Sequence, residues 1–422
     1  MRVQVVSCVF PPVPLVSGRT SSELAEELHR RGHKVEVITS YPSRPAGVRY
    51  DEYTRSLFGR TVTETGWVLL RCWSIPSSQS TLTSRLLENV SFGLTAALCA
   101  LFTPRPDVIY ANTWPILAAG LLVLLSKLRH VPVVMSIQDL YPESLIVQRR
   151  LRQDSLLVRA MRWLDGQVVR GCAAVVVISE RFAEVYREER QMPSRRVHVI
   201  PNWADRDLID VGDSGASFRA QQQIPEDVFL VVYGGNIGQA AGVETVIQAL
   251  GDARVRHERL CFVAAGEGSR LEHCRLLAAR LAGDRVRFYS PWPLEDTSRV
   301  LRAADVLVLP TQGQQSLVSV PSKLISYTLA ARPVIALAQP ESDVANVVKQ
   351  AGCGWVVPPE RPDLLAQGIR NAMELDPHLL DRLGQAGRSY ALAHFTREAC
   401  LPRLIHVLEA ASAVSEREES RV

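Results

Sequence analysis

Short apolar runs rich in β-branched residues alternate along this chain with longer segments of helical periodicity. The opening shows the unit: an apolar run at residues 3–10, a helical stretch at 20–31 that Gly32 ends, and a second apolar run at 35–39. Further runs in the first half predict strands at residues 107–110, 131–137, 173–178 and 197–200. Because these strands are apolar almost throughout and alternate with helices, we expect a parallel sheet covered by helices on both faces.

The pattern stops in a polar stretch between Asn202 and Pro225 and then starts again. The second half predicts strands at residues 228–233, 260–265, 285–289, 306–309, 334–337 and 355–357. The fold class is therefore α/β, with two Rossmann-like doubly wound domains facing a central cleft. We place the domains at residues 1–205 and 206–390, and expect a C-terminal helix and tail at 391–422 to pack back on the first domain.

Composition and charge exclude several classes of protein. The chain has 422 residues, of which 47% are hydrophobic and 22% charged, which is enough apolar surface for two cores and unlike a disordered protein. A net charge of +4 is too small to indicate nucleic acid as the main ligand. The eight cysteines lie in apolar segments without a Cys-x-x-Cys pair, which predicts buried, reduced thiols in a cytosolic protein.

No segment predicts a membrane-spanning helix. The longest apolar stretches, near residues 90–102 and 115–125, are shorter than the ~18 residues that a span needs. The opening run is interrupted by Gln4 and lacks a small-residue cleavage site, so it predicts a buried strand rather than a secretion signal. We expect a cytoplasmic protein, with peripheral contact to the inner face of the cytoplasmic membrane as an open question.

Three loops of the second half follow predicted strands and precede predicted helices. They are residues 234–238, 266–268 and 311–322, and the first two are rich in glycine. Glycines let a backbone approach a phosphate closely, while the N–H groups and positive end of the next helix stabilise the anion. A glycine after a strand is also typical of an ordinary turn, but three such loops in one domain favour a nucleotide site.

Lys323 follows Pro321 and Ser322 at the start of a predicted helix. Proline suits the first turn and serine can cap it, so that Lys323 would project toward a bound phosphate. The alternative is a solvated lysine at a helix start. The spacing does not match a Walker loop, and the first β-α turn lacks Gly-x-Gly-x-x-Gly, which disfavours a P-loop ATPase or an ordinary dehydrogenase.

Motifs of metal and triad hydrolases are absent from the sequence. It contains no His-Glu-x-x-His, no Gly-x-Ser-x-Gly and no Cys/His cluster with metal spacing, and its nine histidines are dispersed. We therefore expect neither a metal site nor a resident cofactor.

A loop in the first half carries two carboxylates at the carboxyl end of a predicted strand. Asp139 and Glu143 follow the apolar run that ends at Ile137. That position suits hydrogen bonding to substrate hydroxyls. The alternative is a turn in which Asp139 caps a helix.

Residues 148–171 combine six arginines with an apolar face that includes Trp163. Basic residues beside such a face favour docking on an anionic membrane surface. An ordinary surface helix has the same pattern, so both interpretations remain.

Motifs along nearly the whole chain match one family: the sequence resembles the retaining glycosyltransferases of the family 4 type, which have the two-domain GT-B fold. Within that family it looks most similar to bacterial fucosyl and N-acetylfucosaminyl transferases of surface polysaccharide synthesis. The matching motifs are Phe10-Pro-Pro, Ser17-Gly18, Leu28-His-Arg-Arg-Gly-His33, Gln138-Asp-Leu-Tyr-Pro-Glu143, Ile200-Pro-Asn202, Gly235-Asn-Ile-Gly238, Gly266-Glu-Gly268, Ala304-Asp-Val-Leu-Val-Leu-Pro310, Pro321-Ser-Lys323 and Arg332-Pro-Val334.

The resemblance implies that the second domain binds a nucleotide-diphosphate sugar, with UDP or GDP favoured, and that the first receives a lipid-linked or oligosaccharide acceptor. It implies catalytic roles for Gln138, Asp139 and Glu143, with Gln138 where many relatives place a histidine near the donor sugar. It implies donor binding by Gly18, Gly235, Asn236, Gly238, Gly266, Glu267, Trp292, Ser322, Lys323 and Ser326.

The mechanism that the resemblance implies is front-face displacement without a metal, in which a leaving phosphate oxygen accepts the proton of the incoming hydroxyl. This sequence departs from the family at two motifs. Asn236 and Ala241 replace the usual arginine and lysine, while Val318 and Ser326 replace the two glutamates of Glu-x7-Glu. A nucleotide-sugar epimerase or hydrolase on the same fold, and a non-catalytic binding partner, therefore stay open as alternatives.

Overall fold

The computed structural model describes residues 1–43, 50–53, 56–76, 82–112, 116–207, 209, 214–255, 259–318 and 322–419. These residues divide into two compact units, one of Met1–Asn202 with Cys400–Val422 and one of Trp203–Ala399. Each unit is built on one sheet.

The first unit contains eight strands: β1 (Arg2–Ser7), β2 (Lys34–Ser40), β3 (Phe58–Val62), β4 (Val68–Cys72), β5 (Val108–Asn112), β6 (Val133–Ile137), β7 (Ala174–Val177) and β8 (Val197–Val199). They form one sheet in the order β3-β4-β2-β1-β5-β6-β7-β8. Every pairing is parallel except that of β3 with β4. The order reverses direction between β1 and β5, which is where doubly wound sheets open a crevice.

Six helices connect these strands and cover the sheet. Their bounds are α1 (Val16–Arg30), α2 (Leu82–Phe102), α3 (Ile116–Leu128), α4 (Glu143–Val147), α5 (Leu156–Arg170) and α6 (Glu180–Glu184). Gly32 follows α1 with φ +84°, the left-handed stop expected from the sequence. The helix α1 begins at Val16, earlier than the predicted residue 20, so the loop between β1 and α1 is shorter than predicted.

The second unit contains six parallel strands: β9 (Phe229–Gly234), β10 (Leu260–Ala265), β11 (Val286–Tyr289), β12 (Val306–Pro310), β13 (Val334–Leu337) and β14 (Gly354–Val357). Their order is β11-β10-β9-β12-β13-β14, with the reversal between β9 and β12. The helices are α7 (Ala216–Gln221), α8 (Val243–Leu250), α9 (Leu271–Leu281), α10 (Thr297–Arg302), α11 (Ser322–Leu329), α12 (Asp343–Ala351), α13 (Pro362–Met373) and α14 (Pro377–His394). Buried apolar clusters lie on both faces of this sheet.

The last helix, α15 (Arg397–Glu419), belongs to the first unit from Cys400 onward. Its Arg403 donates a hydrogen bond of 2.6 Å to the carbonyl oxygen of Val199, at the end of β8. The segment that the sequence predicts as helical at residues 377–414 therefore forms two helices, separated at Phe395 and Thr396.

Most predicted strands are confirmed within a few residues, but β3 and β4 escape prediction from the sequence. β3 is exposed at most of its positions, so it has no apolar run, and its antiparallel pairing departs from the fully parallel sheet that we expected. β4 carries the buried Arg71 among its apolar residues, and that charge interrupts the pattern. All eight cysteines are buried and none forms a disulfide, which confirms the prediction of buried thiols.

Candidate functional site

The loops after β9, β10 and β11 meet at the carboxyl edge of the second sheet. The N–H of Gly235 donates to the carbonyl oxygen of Ala265 at 2.8 Å, and that of Ile237 donates to the oxygen of Glu267 at 2.7 Å. The N–H of Gly266 in turn donates to the oxygen of Tyr289 at 3.0 Å. The glycine loops thus continue the pairing of the strands, at the switch point where a doubly wound sheet binds its ligand.

Glycine is required where these loops touch. Gly266 has a φ of +136°, and a Cβ at this position would lie 2.0 Å from the carbonyl oxygen of Gly235. Gly268 has a φ of +157°, and its Cβ would lie 2.3 Å from the oxygen of Ile237. Both obstacles are backbone atoms, which cannot rotate away, so the two loops can pack only if these residues lack a side chain.

We expect the Gly266→Ala variant to lose about 3 kcal/mol or more of the second unit's unfolding free energy, because it combines a backbone clash with a strained φ. Denaturant unfolding monitored by circular dichroism measures the loss. The matched control is Gly283→Ala, where φ is +58° but nothing lies within 4 Å of the added carbon. It should lose only about 1 kcal/mol, and equal losses in the two variants would contradict the packing argument.

Lys323, in the first turn of α11, lies directly against the Gly235 loop. A Cβ on Gly235 would lie 1.9 Å from Lys323 Cε, so glycine leaves the space that the lysine stem occupies. The ammonium lies 5.0 Å from the centroid of the Tyr233 ring. No described residue forms an ion pair with it, and burial alone lowers the pKa of Lys323 to about 8. A partly buried cation without a carboxylate partner suits an anionic ligand.

Two buried tyrosines form hydrogen bonds to the backbone of the Gly235 loop. The Tyr327 hydroxyl accepts a hydrogen bond from the N–H of Gly234 at 2.8 Å and donates one to the Gly234 carbonyl oxygen at 3.1 Å. The Tyr233 hydroxyl donates to the carbonyl oxygen of Asn236 at 2.7 Å. Because both tyrosines are fully buried, they restrain the loop that faces Lys323.

Arg270, which sequence reasoning did not single out, anchors this loop through its main chain. Its main-chain N–H donates to the carbonyl oxygen of Ile237 at 3.0 Å, while its Nε bonds Glu244 Oε1 at 2.7 Å near the start of α8. The other oxygen of Glu244 is buried without a partner among the described residues. Asn236 and Ala241 leave the loop itself without a cation, whereas the tertiary structure brings Lys323 to it.

Trp292 follows β11 and packs against β9. The edge of its ring would lie 2.8 Å from a Cβ on Gly234, so this glycine too makes room for a neighbour. Its indole Nε1 is buried and has no hydrogen-bond partner among the residues that the structure describes. Trp292 therefore packs at the same edge of the sheet as the glycine loops.

The other predicted donor-binding residues of the second unit differ in exposure. Asn236, Glu267 and Ser322 are exposed, while Gly238 and Ser326 are half-buried. Ser326 lies three residues after Lys323 on α11, and so on the same face of the helix. Pro321 lies outside the described residues.

In the first unit, Gly18 lies in the first turn of α1 beside the loop that follows β1. A Cβ on Gly18 would be 3.3 Å from the Cα of Phe10, so the helix packs closely on that loop. The buried Arg71, on β4, donates to the carbonyl oxygens of Pro11 at 3.0 Å and Ser40 at 3.1 Å. A buried arginine that the sequence did not reveal thus fastens the loop in front of Gly18.

Gln138 directly follows β6, and both polar atoms of its side-chain amide form hydrogen bonds. Its Nε2 donates to Ser136 Oγ at 3.0 Å, and its Oε1 accepts from Asn202 Nδ2 at 2.8 Å. Asp139 is exposed. The helix α4 has Pro142 as its N-cap, so the alternative in which Asp139 caps a helix is wrong.

Glu143 belongs to a buried ion network rather than to an open surface. Arg190 Nη2 lies 2.9 Å from Glu143 Oε1 and Arg162 Nε 3.0 Å from the same oxygen. Arg190, whose side chain is 1% exposed, also bonds Asp165 at 2.8 Å. The carboxylate of Glu143 is therefore neutralised by two arginines, in an arrangement that positions the loop between β6 and α4.

Neither a metal cluster nor a membrane span is found in the part of the chain that the structure describes. No group of three or more His, Cys, Asp or Glu side chains there could hold a metal ion. No described helix is both long enough and apolar enough to cross a bilayer.

Two family models match this chain in succession. The Glycosyl transferase 4-like domain matches residues 17–203, and the model named Glycosyl transferases group 1 matches residues 216–390. Their junction falls between the two units of the structure.

Curated relatives match over most of their length. The chain is 27% identical to the probable glycosyltransferase WbjE of Pseudomonas aeruginosa, over 79% of this chain and 82% of that protein. It is 25% identical to the putative colanic acid biosynthesis glycosyl transferase WcaI of Escherichia coli, over 96% of this chain and 99% of that protein.

Solved structures share the fold at low sequence identity. Sucrose-phosphate synthase from Thermosynechococcus elongatus superposes with a TM-score of 0.75 at 18% identity, covering 98% of this chain and all of that one. Anabaena HepE in complex with UDP gives a TM-score of 0.73 at 14% identity, covering 97% of this chain and all of that one. With both family models matched in order on two Rossmann-like units, the chain belongs to the family 4 type glycosyltransferases of the GT-B fold.

Proposed function

We propose that this protein transfers a sugar from a nucleotide-diphosphate donor to a lipid-linked saccharide during synthesis of a surface polysaccharide, with retention of anomeric configuration. The observation that carries the proposal is Lys323, a partly buried cation without an ion-pair partner among the described residues, packed against the glycine loops. A bound diphosphate would supply the negatively charged partner of this cation.

The donor pocket proposed here is formed by the loops after β9, β10 and β11 together with the start of α11. Lys323 and the main-chain N–H groups of Asn236 and Gly238 would bind the diphosphate, because glycine-rich backbones and a nearby cation are the usual partners of phosphate oxygens. Trp292 would lie near the base, at the edge of the sheet where its ring packs against Gly234. Asn236, Gly238, Glu267, Ser322 and Ser326 complete the proposed contacts.

The relatives support the donor class and the pathway without deciding either for this chain. Solved structures of Anabaena HepE hold UDP and UDP-glucose, and the name of WcaI refers to colanic acid, a polysaccharide. UDP and GDP sugars are therefore the donors to test first, with hexosyl and N-acetylhexosaminyl groups, fucose-type sugars included. On this proposal the protein works at the cytoplasmic face of the membrane.

In the proposed reaction the bond between the sugar and the β-phosphate breaks while the acceptor hydroxyl attacks from the same face. The leaving phosphate oxygen takes the hydroxyl proton. The proposed reaction uses no metal. Lys323 stabilises the negative charge that develops on the diphosphate, which is the electrostatic contribution that usually dominates. Gln138, restrained by Ser136 and Asn202, and the exposed Asp139 would hydrogen-bond sugar hydroxyls, while Glu143 positions their loop.

The test begins with thermal unfolding in the presence of UDP, GDP, dTDP and ADP. A nucleotide at about 100 times its dissociation constant should stabilise the second unit by about 2.7 kcal/mol. The matching nucleotide-sugar is then incubated with and without lipid-linked acceptors, and the anomeric configuration of the product is determined by NMR. Inverted product would overturn retention, and free sugar or epimer from donor alone would favour the hydrolase or epimerase alternative.

Nucleotide affinity should depend on pH through Lys323. Its pKa, lowered to about 8 by burial, means that the free protein carries the ammonium below about pH 8 and loses it above. We expect the dissociation constant to be level from about pH 6.5 to about pH 7.5 and to rise, by up to about tenfold per pH unit, above about pH 8. Isothermal titration calorimetry measures it, with Lys323→Gln as the control that should bind weakly and show a smaller pH dependence.

A further inference from the structure

The outer face of α2 is apolar over residues 86–102. Between residues 87 and 102, every exposed residue is a large apolar one: Leu87, Val90, Leu94, Leu98, Leu101 and Phe102. Phe102 is 83% exposed. The spacing of three and four residues places them on one stripe of the helix, opposite the stripe that covers the sheet.

The exposed face of α9 differs from this stripe. α9, which covers the second sheet, exposes Glu272, Arg275 and Arg280 beside Leu276, as a helix facing water normally does. A contiguous apolar surface of this kind on a folded protein marks an interaction site.

α3 extends the apolar surface sideways. Gly93 on α2 lies against Ala118 on α3, and a Cβ on Gly93 would be only 2.7 Å from the Ala118 Cα, so the two helices pack closely. α3 exposes Leu124 and Leu128 beyond this contact. α3 also packs on α5, which exposes Leu157 and Trp163.

The charges of these three helices are arranged by sign. Among the described side chains of α2, α3 and α5, both acidic residues, Glu88 and Asp165, are buried. The exposed charged residues are all cations: Lys127, Arg159 and Arg170. An apolar surface whose exposed charges are only positive is complementary to a bilayer with anionic headgroups.

A basic groove adjoins the end of α3. Lys127 and His130 line it together with Arg170, Arg195, Arg196 and His198, it has a volume of about 1200 Å³, and its lining contains no acidic residue. Lys127 and Arg170 belong both to this groove and to the cations of α3 and α5, so the groove adjoins the cationic border of the apolar surface. Arg195, Arg196 and His198 lie on elements other than α3 and α5, and they are basic as well.

We propose that the outer faces of α2 and α3, bordered by Lys127, Arg159 and Arg170, dock this protein on an anionic lipid bilayer. The apolar side chains enter the boundary between headgroups and acyl chains, and the cations contact headgroup phosphates. No described helix could cross the membrane, so the helices lie in its plane. This docking would bring the protein to the membrane that holds the lipid-linked acceptor, and in that sense it rests on the proposed function. Vesicle binding, however, is measured without any sugar transfer.

The test uses the full-length protein and sedimentation with vesicles of phosphatidylcholine, alone or mixed with phosphatidylglycerol. The protein should bind the mixed vesicles, and at least about fivefold more weakly those of phosphatidylcholine alone, because each basic residue near an anionic surface contributes measurably. The triple variant Leu94→Gln, Leu98→Gln and Leu101→Gln should bind the mixed vesicles at least about 30-fold more weakly, because it removes apolar contacts from the centre of the surface. Lys127→Gln should weaken binding about fivefold.

The matched control is a second triple variant on exposed leucines of the other unit, Leu276→Gln, Leu364→Gln and Leu379→Gln, which should bind vesicles as the unchanged protein does. Equal vesicle binding by the α2 variant and the unchanged protein would overturn the proposal. The proposal would also be overturned if the unchanged protein bound no vesicles but formed a dimer, and the α2 variant, unlike the control variant, were monomeric. A second copy of the chain would then cover the surface. Nucleotide-induced stabilisation should be the same in both triple variants, which separates failure of docking from failure of the donor site.

Discussion

Replacing Lys323 with Gln is expected to lower kcat/KM by about 10²–10³-fold, the loss typical of removing one group that stabilises transition-state charge. Lys323 packs directly against Gly235, and Asn236 and Ala241 provide no charge of their own in this loop. The leaving diphosphate would then develop its charge without that ammonium. Because Gln is shorter and uncharged, it introduces no clash with the glycine backbone.

Steady-state kinetics with the donor identified by thermal unfolding measures this loss. The matched control is Lys349→Gln on α12, where an exposed lysine donates a hydrogen bond of 3.3 Å to the carbonyl oxygen of Pro340. It should retain activity within about twofold. Unchanged kcat/KM in the Lys323 variant would remove this residue from the donor site, and with it the observation on which the proposed function depends.

Replacing Arg190 with Met is expected to lower the unfolding free energy of the first unit by about 3–5 kcal/mol. Its guanidinium bonds Asp165 at 2.8 Å, Glu143 at 2.9 Å and the carbonyl oxygen of Tyr141 at 3.0 Å, all in a largely buried network. Methionine fills similar volume but leaves both carboxylates short of a cation. Burial already raises the pKa of Asp165 despite its arginine partner, so the loss of that partner should be costly.

Urea unfolding of the full-length protein, monitored on the transition of the first unit, measures the effect. The control Arg195→Met changes an exposed arginine nearby and should shift stability by no more than about 0.5 kcal/mol. Adding Asp165→Asn and Glu143→Gln to Arg190→Met should restore part of the loss, since neutral amides do not need the cation. If the triple variant is no more stable than the single one, uncompensated charge is not the cause.

Much of the fold follows from local sequence. Five of the six strands of the second sheet are apolar runs, the exception being β11 with Arg287, and the run at residues 260–265 coincides with β10. β3 and β4 were missed for a physical reason. β3 lies at the sheet edge and is mostly exposed, so nothing selects apolar residues along it. β4 contains an arginine that donates hydrogen bonds to backbone carbonyl oxygens far away in the chain.

The candidate site was predictable in part. Glycines after strands and a lysine at a helix start indicate phosphate binding, and the structure brings Gly235, Gly266 and Lys323 together. The sequence does not show Arg270, because its relation to the glycine loop runs through a main-chain bond to Ile237. Nor does it show that Glu143 is neutralised by arginines, since Arg190 follows it only after another strand and two helices.

By itself, the sequence determined the order of strands and helices, the division into two α/β units and the family, because apolar periodicity, turn residues and short motifs are local properties of the chain. Only the tertiary structure decided which side chains meet and which face outward. Lys323 lies beside Gly235, Arg190 lies between two carboxylates, and the leucines of α2 face outward rather than the sheet. These outcomes depend on strand order and on burial, which arise from contacts between residues distant in the chain.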